Sequence, residues 1–243
     1  MQIVLTYLIT NLLDNKPEVI DYVYVFTILE IIEEELEHTK NNMIKEIESG
    51  QKDNFNLTVQ YVDENLKKLN IDKNIQLDFN KYKSKTLPKL VEKHFNKLTR
   101  TMSSQVLNML NSGKTNELEN YLTTVLESES KSKSLVGRLM RVYRTENTMM
   151  RSKVKLDVQE ELAKEGIIIK RKWMHTLSNP SNVIGANYTP RDDHLALNGA
   201  VEDERGYFHT YTGASTRAPG MFGLPEEDIN CRCDVEFVLD KND

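Results

Sequence analysis

The sequence predicts an α+β protein: a helical N-terminal region, then a long helix, then a small loop-rich β unit. Three observations predict it. Apolar residues recur at helical steps through the first half of the 243 residues. A stretch from about Ser134 to Gly166 keeps that period and ends on a glycine suited to a helix stop. After Gly166 the texture changes to β-branched and alternating runs, and six of the ten glycines lie there, in short turns.

Each element follows in order. "MQIVLTYLITNLLDNK" is apolar, but it lacks a basic leader and is too short to span a bilayer, so an N-terminal helix and no membrane insertion are expected. From Pro17 to Gly50, the residues Ile20, Val23, Phe26, Ile28, Leu29, Ile32 and Leu36 form one stripe, with Glu33, Glu34 and Glu35 on the wet side. Gly50 to Asn54 is expected to break the chain before a second helix carrying Leu57, Val62, Leu66 and Leu69. Residues 70–86 have no period. Thr86 is expected to cap a helix with Pro88 in its first turn and Leu90, Phe95, Leu98, Met102, Val106 and Leu110 along one side. "NSGK" stops it, and Leu118 to Leu126 make a further short helix. "SESKSKS", Ser128 to Ser134, has no apolar anchor and marks a boundary between a helical arm, 1–130, and a C-terminal domain, 131–243.

In that domain Leu135, Leu139, Val142, Met149 and Val154 share a helix side, and Glu146 falls on the same stripe. A carboxylate there needs a partner, because an unpaired buried charge is costly. Arg191 is the expected partner, with Arg232 second, and Arg144 lies two residues before Glu146. "IIIKRKW" reads as a strand ending on Trp173, the anchor of the helix–sheet seam. Asn198–Gly199 is a turn, "VEDERGYFHTYT" a hairpin around Glu204–Gly206, and "CDVEFVL" the closing strand.

Bulk composition narrows the function classes. With 39% hydrophobic and 28% charged residues the chain is neither disordered nor fibrous. Two cysteines in this length exclude a disulfide framework and favour a reducing compartment. The net charge is −5, but it is uneven: residues 131–175 hold 12 Lys+Arg against 5 Asp+Glu, or +7, and residues 192–243 hold 4 against 12, or −8. Those opposite charges either pair within the fold or leave a basic surface for DNA. The candidates for DNA contact are Lys131, Lys133, Arg138, Arg141, Arg151, Lys153, Lys155, Lys170, Arg171 and Lys172.

Both cysteines sit in "EEDINCRC", with Arg232 between Cys231 and Cys233. In an extended segment they share a face. With His194 they suit zinc, and Asp192, Asp193 or His209 would be the fourth ligand. The spacing permits this without demanding it. The alternatives are two buried small side chains, with His194 bonded to a loop carbonyl, and a redox pair. His175 is given no role.

The order of R-T-E at Arg144–Glu146, K-x-W at Trp173, R-x-x-H-x-x-x-x-G from Arg191 through His194 to Gly199, and N-C-R-C at Asn230–Cys233 resembles the phage Mu F-like minor head protein family over about residues 135–238. The stretch Leu177–Pro190 departs from that pattern. The resemblance implies a structural head-morphogenesis protein rather than an enzyme, inside the virion at the portal vertex after assembly in the host cytoplasm. It implies the portal protein as partner, with scaffold, major capsid protein or double-stranded DNA as others, and possible ejection with the genome. No cofactor is expected, apart from the zinc that the residues themselves permit. Metal- or thiol-dependent hydrolysis by His194 with Asp192 and Asp193, or by Cys231 with His194, is the alternative. The chain has no phosphate-binding glycine loop, H-E-x-x-H or G-x-S-x-G.

Overall fold

Helix α1 runs unbroken over Tyr22–Lys68, so the expected break at Gly50 does not form. Gly50 stays helical and lies against the Tyr143 hydroxyl, where a Cβ would collide. The missing side chain makes room for a neighbour here and does not end the helix. The molecule, a computed structural model, describes residues 22–114, 117, 118, 120, 121, 124, 125, 135–175 and 191–239. The N-terminal apolar helix, the 128–134 boundary, the 177–190 stretch, Lys131, Lys133 and most of the 118–126 helix lie outside the described residues.

The fold is α+β. After α1 come a short 3-10 turn, Phe79–Lys81, helix α2, Thr86–Asn111, and the long helix α3, Leu135–Lys164. Then follow β1 (Ile169–Met174), α4 (Asp192–Ala196), β2 (Phe208–His209), β3 (Ser215–Thr216), α5 (Pro225–Asp228) and β4 (Asp234–Leu239). The chain divides into two compact units: Met1–Glu48 with Lys85–Met140, and Ser49–Ser84 with Arg141–Asp243. Among the described residues, no helix is long and apolar enough to cross a membrane.

The first unit is built on helical stripes. Ile28, Ile32 and Leu36 of α1 and Leu87, Val91, Phe95, Met102, Val106 and Leu110 of α2 are buried. Ser103 Oγ donates to Glu33 Oε1 at 3.4 Å, which ties the two helices. Phe26, expected in the stripe, is 65% exposed. Thr86 is the first helical residue rather than the cap; Lys85 holds the cap position without a side-chain bond.

The second unit holds the sheet. β1 and β4 pair antiparallel, from Ile169 opposite Leu239 to Met174 opposite Asp234. α3 stops at Gly166 (φ +79°), and Ile167 N donates back to Leu162 O at 3.0 Å. The left-handed glycine closes the helix and turns the chain directly into β1. Val62, Leu66, Val158, Leu162, Ile169 and Phe237 make one core cluster. Leu57, by contrast, is 64% exposed. The aperiodic 70–86 stretch is not loose: Tyr82 packs with Phe55, Met150 and Val154, and Phe79 lies against that cluster. The predicted turn at Glu204–Gly206 forms, with Gly206 N donating to Asp203 O at 3.0 Å. The strand pairing does not match the expected hairpin, since β2 pairs with β3 and Val201 bridges to Lys172.

One tie predicts a pH response. Asp157 of α3 accepts from the Tyr82 hydroxyl at 2.8 Å and lies 2.7 Å from Lys81 Nζ. Burial raises its pKa, but Lys81 and Tyr82 outweigh this and hold it below the ordinary value. A carboxyl depressed in the folded state stabilises above its unfolded pKa, and that contribution is lost as pH falls through the folded value. Melting curves from pH 5 down to pH 2 should therefore fall more steeply for the wild type than for Asp157→Asn. Parallel curves would show that the tie carries no stability.

Candidate metal centre

α3 presents a polar stripe to the β unit. Thr145, Thr148, Ser152 and Lys155 recur at helical spacing, and each reaches a loop or strand. Thr145 Oγ1 accepts from Asn230 N at 3.1 Å, and Thr148 Oγ1 donates to Cys231 O at 2.8 Å. Ser152 Oγ donates to Pro219 O at 2.7 Å, and Lys155 Nζ donates to Asp234 Oδ1 and Val235 O, both at 2.7 Å. These bonds, not Glu146, hold the cysteine segment. Glu146 is half-buried; burial raises its pKa, opposed by a hydrogen bond from Ser84. Arg191, its expected partner, donates instead to Ile229 O at 2.8 Å. Arg144 and Arg232 are half-buried. Met149, expected on the apolar side, is 39% exposed.

Cys231 and Cys233 precede β4 and do not lie within it, yet both are fully buried and free. They share a cluster with Trp173, Leu197, Phe208 and Val235. α4 brings His194 to them: Cys231 Sγ lies 3.6 Å and Cys233 Sγ 3.9 Å from its Nδ1. The two sulfurs and this imidazole have ligand atoms within 4.8 Å of one another. The Trp173 ring meets the imidazole edge-on at 5.6 Å, and Phe222 stacks on it at 5.1 Å. The Asn198–Gly199 turn forms as expected, with Gly199 at φ +85° and Asn198 Oδ1 accepting from His175 N at 2.9 Å. Asn230 adopts φ +60° on entry to the cysteines.

The two thiols and the imidazole shift one another's protonation. The Cys231 pKa is driven well down, first by the hydrogen bond from Cys233 and then, against burial, by His194. Cys233 is correspondingly pushed up by its neighbour. Burial disfavours a charged His194, but the bond to Cys231 outweighs it and raises the imidazole. Buried His175 is lowered by desolvation and by the charge on His194.

The opposite edge of His194 meets a residue the sequence did not single out. Its Nε2 lies 3.0 Å from Glu227 Oε2. Asp193, His194 and Glu227 form a second group of possible ligands. Nothing in "PEED" distinguishes Glu227 from Glu226; only the turn of α5 does. Asp192 is exposed, and His209 is exposed and bonded to Asp203 and Ser215, so neither joins the thiols.

The predicted basic surface is largely spent inside the fold. Lys155 is buried, and its pKa is lowered by desolvation against the pull of Asp234. Arg171 is buried against Glu202. Lys172 pairs with Glu236 at 2.5 Å, and Arg151 lies 3.8 Å from Asp234. Lys170 is half-buried, whereas Arg138, Arg141 and Lys153 remain exposed.

No family model matches the sequence, and no solved structure matches it significantly. A curated relative does: an NAD(+)–arginine ADP-ribosyltransferase of Enterococcus faecalis, 29% identical over 157 residues. The match covers 64% of this chain and 29% of the relative, so the chain spans less than a third of that protein's length. The finding overturns the resemblance to Mu F-like minor head proteins, because the relative is named for an enzyme activity. The structural, non-enzymatic, head-morphogenesis role falls with it. The portal, scaffold and capsid partners and the virion interior rested on that resemblance alone. What stands is an α+β chain with a buried cluster of metal-ligand type, similar over a long stretch to an ADP-ribosyltransferase.

Proposed function

We propose that this chain serves NAD(+)-dependent ADP-ribosyl transfer to arginine, with zinc on Cys231, Cys233 and His194 holding its second unit in shape. The observation that carries the first part is the 157-residue match. The reaction breaks the bond between ribose C1′ and the nicotinamide nitrogen. A guanidino nitrogen of arginine bonds to C1′, nicotinamide leaves, and the guanidinium gives up one proton.

Such substrates need a polar cleft with both signs of charge. The second unit has one of about 270 Å³, lined by Gln159, Glu160, Glu202, Glu204, Arg205 and Arg217 among others. Glu204 suits a guanidinium and Arg205 a diphosphate, and Glu160 and Arg217, which pair with each other at 3.1 Å, would have to part to take either. The cleft's volume lies just below the usual range of ligand pockets, so it would take only the reacting ends of the substrates.

Donor distances support the zinc. Zn–S bonds of about 2.3 Å and Zn–N bonds of about 2.0 Å, at the tetrahedral angle, set the donors about 3.6 Å apart. The two sulfurs lie 3.6 and 3.9 Å from Nδ1. A thiol nucleophile has less support: the Cys231 side chain has no exposed surface to meet a substrate.

Purified protein with NAD(+) and agmatine, followed by mass spectrometry, should release nicotinamide and form ADP-ribosylagmatine. Glu204→Gln should slow it. No nicotinamide release from folded, zinc-supplied protein would overturn the catalytic part of this reading.

A further inference from the structure

We infer that Glu227 is the positioning residue of the metal centre: its carboxylate takes the Nε2–H of His194 and thereby commits Nδ1, with the two thiols, to the ion. This rests on the zinc reading above.

His194 lies between two sets of donors, and a metal ion suits only one of them. On the thiol side the distances to Nδ1 match a shared tetrahedral ion. On the carboxylate side Nε2 and Glu227 Oε2 are 3.0 Å apart. Two donors on one zinc, each at about 2.0 Å, would stand about 3.3 Å apart, whereas a charge-assisted hydrogen bond closes to about 2.7–2.9 Å. Asp193 is already engaged as well. Its Oδ1 accepts from His194 N at 2.8 Å, and its Oδ2 takes the Thr212 hydroxyl at 3.4 Å. The thiol side is therefore the ligand pole, and the carboxylate side supports it.

Glu227 is 9% exposed, an unusual place for a carboxylate. Its Oε2 and His194 Nε2 are both buried without a hydrogen-bond partner, at ion-pair distance but out of alignment. Leaving two such atoms unsatisfied is costly. The imidazole is held between the Phe222 face and the Trp173 edge, so the motion open to it is a turn within its own plane. An ion on Nδ1 fixes that turn. A neutral imidazole carries one N–H, and a metal on Nδ1 forces it onto Nε2, where Glu227 waits as acceptor.

The loop that delivers Glu227 is built for a fixed position. Pro225 opens α5. Asp228 accepts from Phe222 N at 2.9 Å and Gly223 N at 2.8 Å, which staples the loop across its own turn. Arg191, just before α4, donates to Ile229 O at 2.8 Å, so the segments bearing His194 and Glu227 are tied directly together.

The test is a competition titration of zinc into wild type, Glu227→Gln and Glu227→Ala, with parallel cobalt(II) spectra. Trp173 is the only tryptophan and sits against His194, so its emission follows ligation without a label. Wild type should bind one zinc; failure there overturns the zinc reading itself. Glu227→Ala should weaken zinc binding by about 10–100-fold while thiolate-to-cobalt bands persist, because both sulfurs remain. Glu227→Gln should lose less, since its amide oxygen still accepts the Nε2–H. It also keeps the side-chain shape if the alanine variant does not fold. Wild-type affinity in both variants, beside lost binding in Cys231→Ser, would overturn the role of Glu227. Equal loss in both would overturn the acceptor argument.

Discussion

Glu202→Ala is expected to lower the stability of the second unit by about 3–5 kcal/mol, because it strands a buried guanidinium. Arg171 occupies an inward position of β1, where the strand period puts Ile169, Arg171 and Trp173 on the covered face. Its charge is met by Glu202, whose carboxylate also takes Arg171 N at 2.9 Å and Gln159 Nε2 at 2.6 Å. Nη1 also donates to Arg217 O at 2.7 Å and Nη2 to Gly206 O at 3.0 Å, while the buried Nε–H has no partner. Burial lowers the Arg171 pKa even so, with Glu202 opposing. Removing the carboxylate keeps the cost of burial and deletes its main compensation. Replacing both residues, Arg171→Met with Glu202→Leu, should recover most of the loss, because an apolar pair avoids the desolvation that the ion pair offsets. Urea unfolding of the three variants checks this. A single variant within about 1 kcal/mol of wild type would mean that the network is peripheral.

Zinc is expected to raise the melting temperature of metal-free protein, and chelation to reverse it. Binding to the folded state alone stabilises by about 2.7 kcal/mol at a free zinc concentration of 100 Kd. For a domain of this size that is roughly 5–11 °C. Cys231→Ser and Cys233→Ser should each abolish most of the increment, because a hydroxyl replaces a thiolate ligand. Scanning calorimetry with and without a chelator measures it. A melting temperature that ignores zinc in the wild type would leave the cluster as packed thiols and a histidine.

Several features were legible from residues alone because they depend on local chemistry. The α2 stripe, the glycine stop at Gly166, the strand that carries Trp173 and the turn at Asn198–Gly199 each follow from side-chain period or a backbone need for positive φ. The grouping of His194 with Cys231 and Cys233 was also open to ligand chemistry, since few side chains other than these favour zinc. The misreadings share a physical cause. Gly50 was expected to break a helix because isolated propensity says so, but packing against Tyr143 overrides a cost of about 1 kcal/mol. Glu146 was read as the inward charge because it falls on an apolar stripe. The face that meets the β unit is instead the neighbouring one, a polar stripe whose hydroxyls find backbone partners. That stripe was present in the residues as Thr145, Thr148, Ser152 and Lys155, but an apolar-period search passes over it.

The sequence by itself determined the class, α+β, the positions of α2, α3, β1 and β4, and the presence of two thiols and a histidine of metal-ligand type. Those properties are short-range: they depend on which residues stand within a turn or a strand of one another. Tertiary structure alone decided which charges are buried and with whom. Arg171 meets Glu202 across 31 positions, Lys155 meets Asp234 across 79, and Glu227 meets His194 from a separate loop. A charge has no periodicity that reveals its partner. Its environment is set by which loops close over it, and that closure is a property of the folded chain.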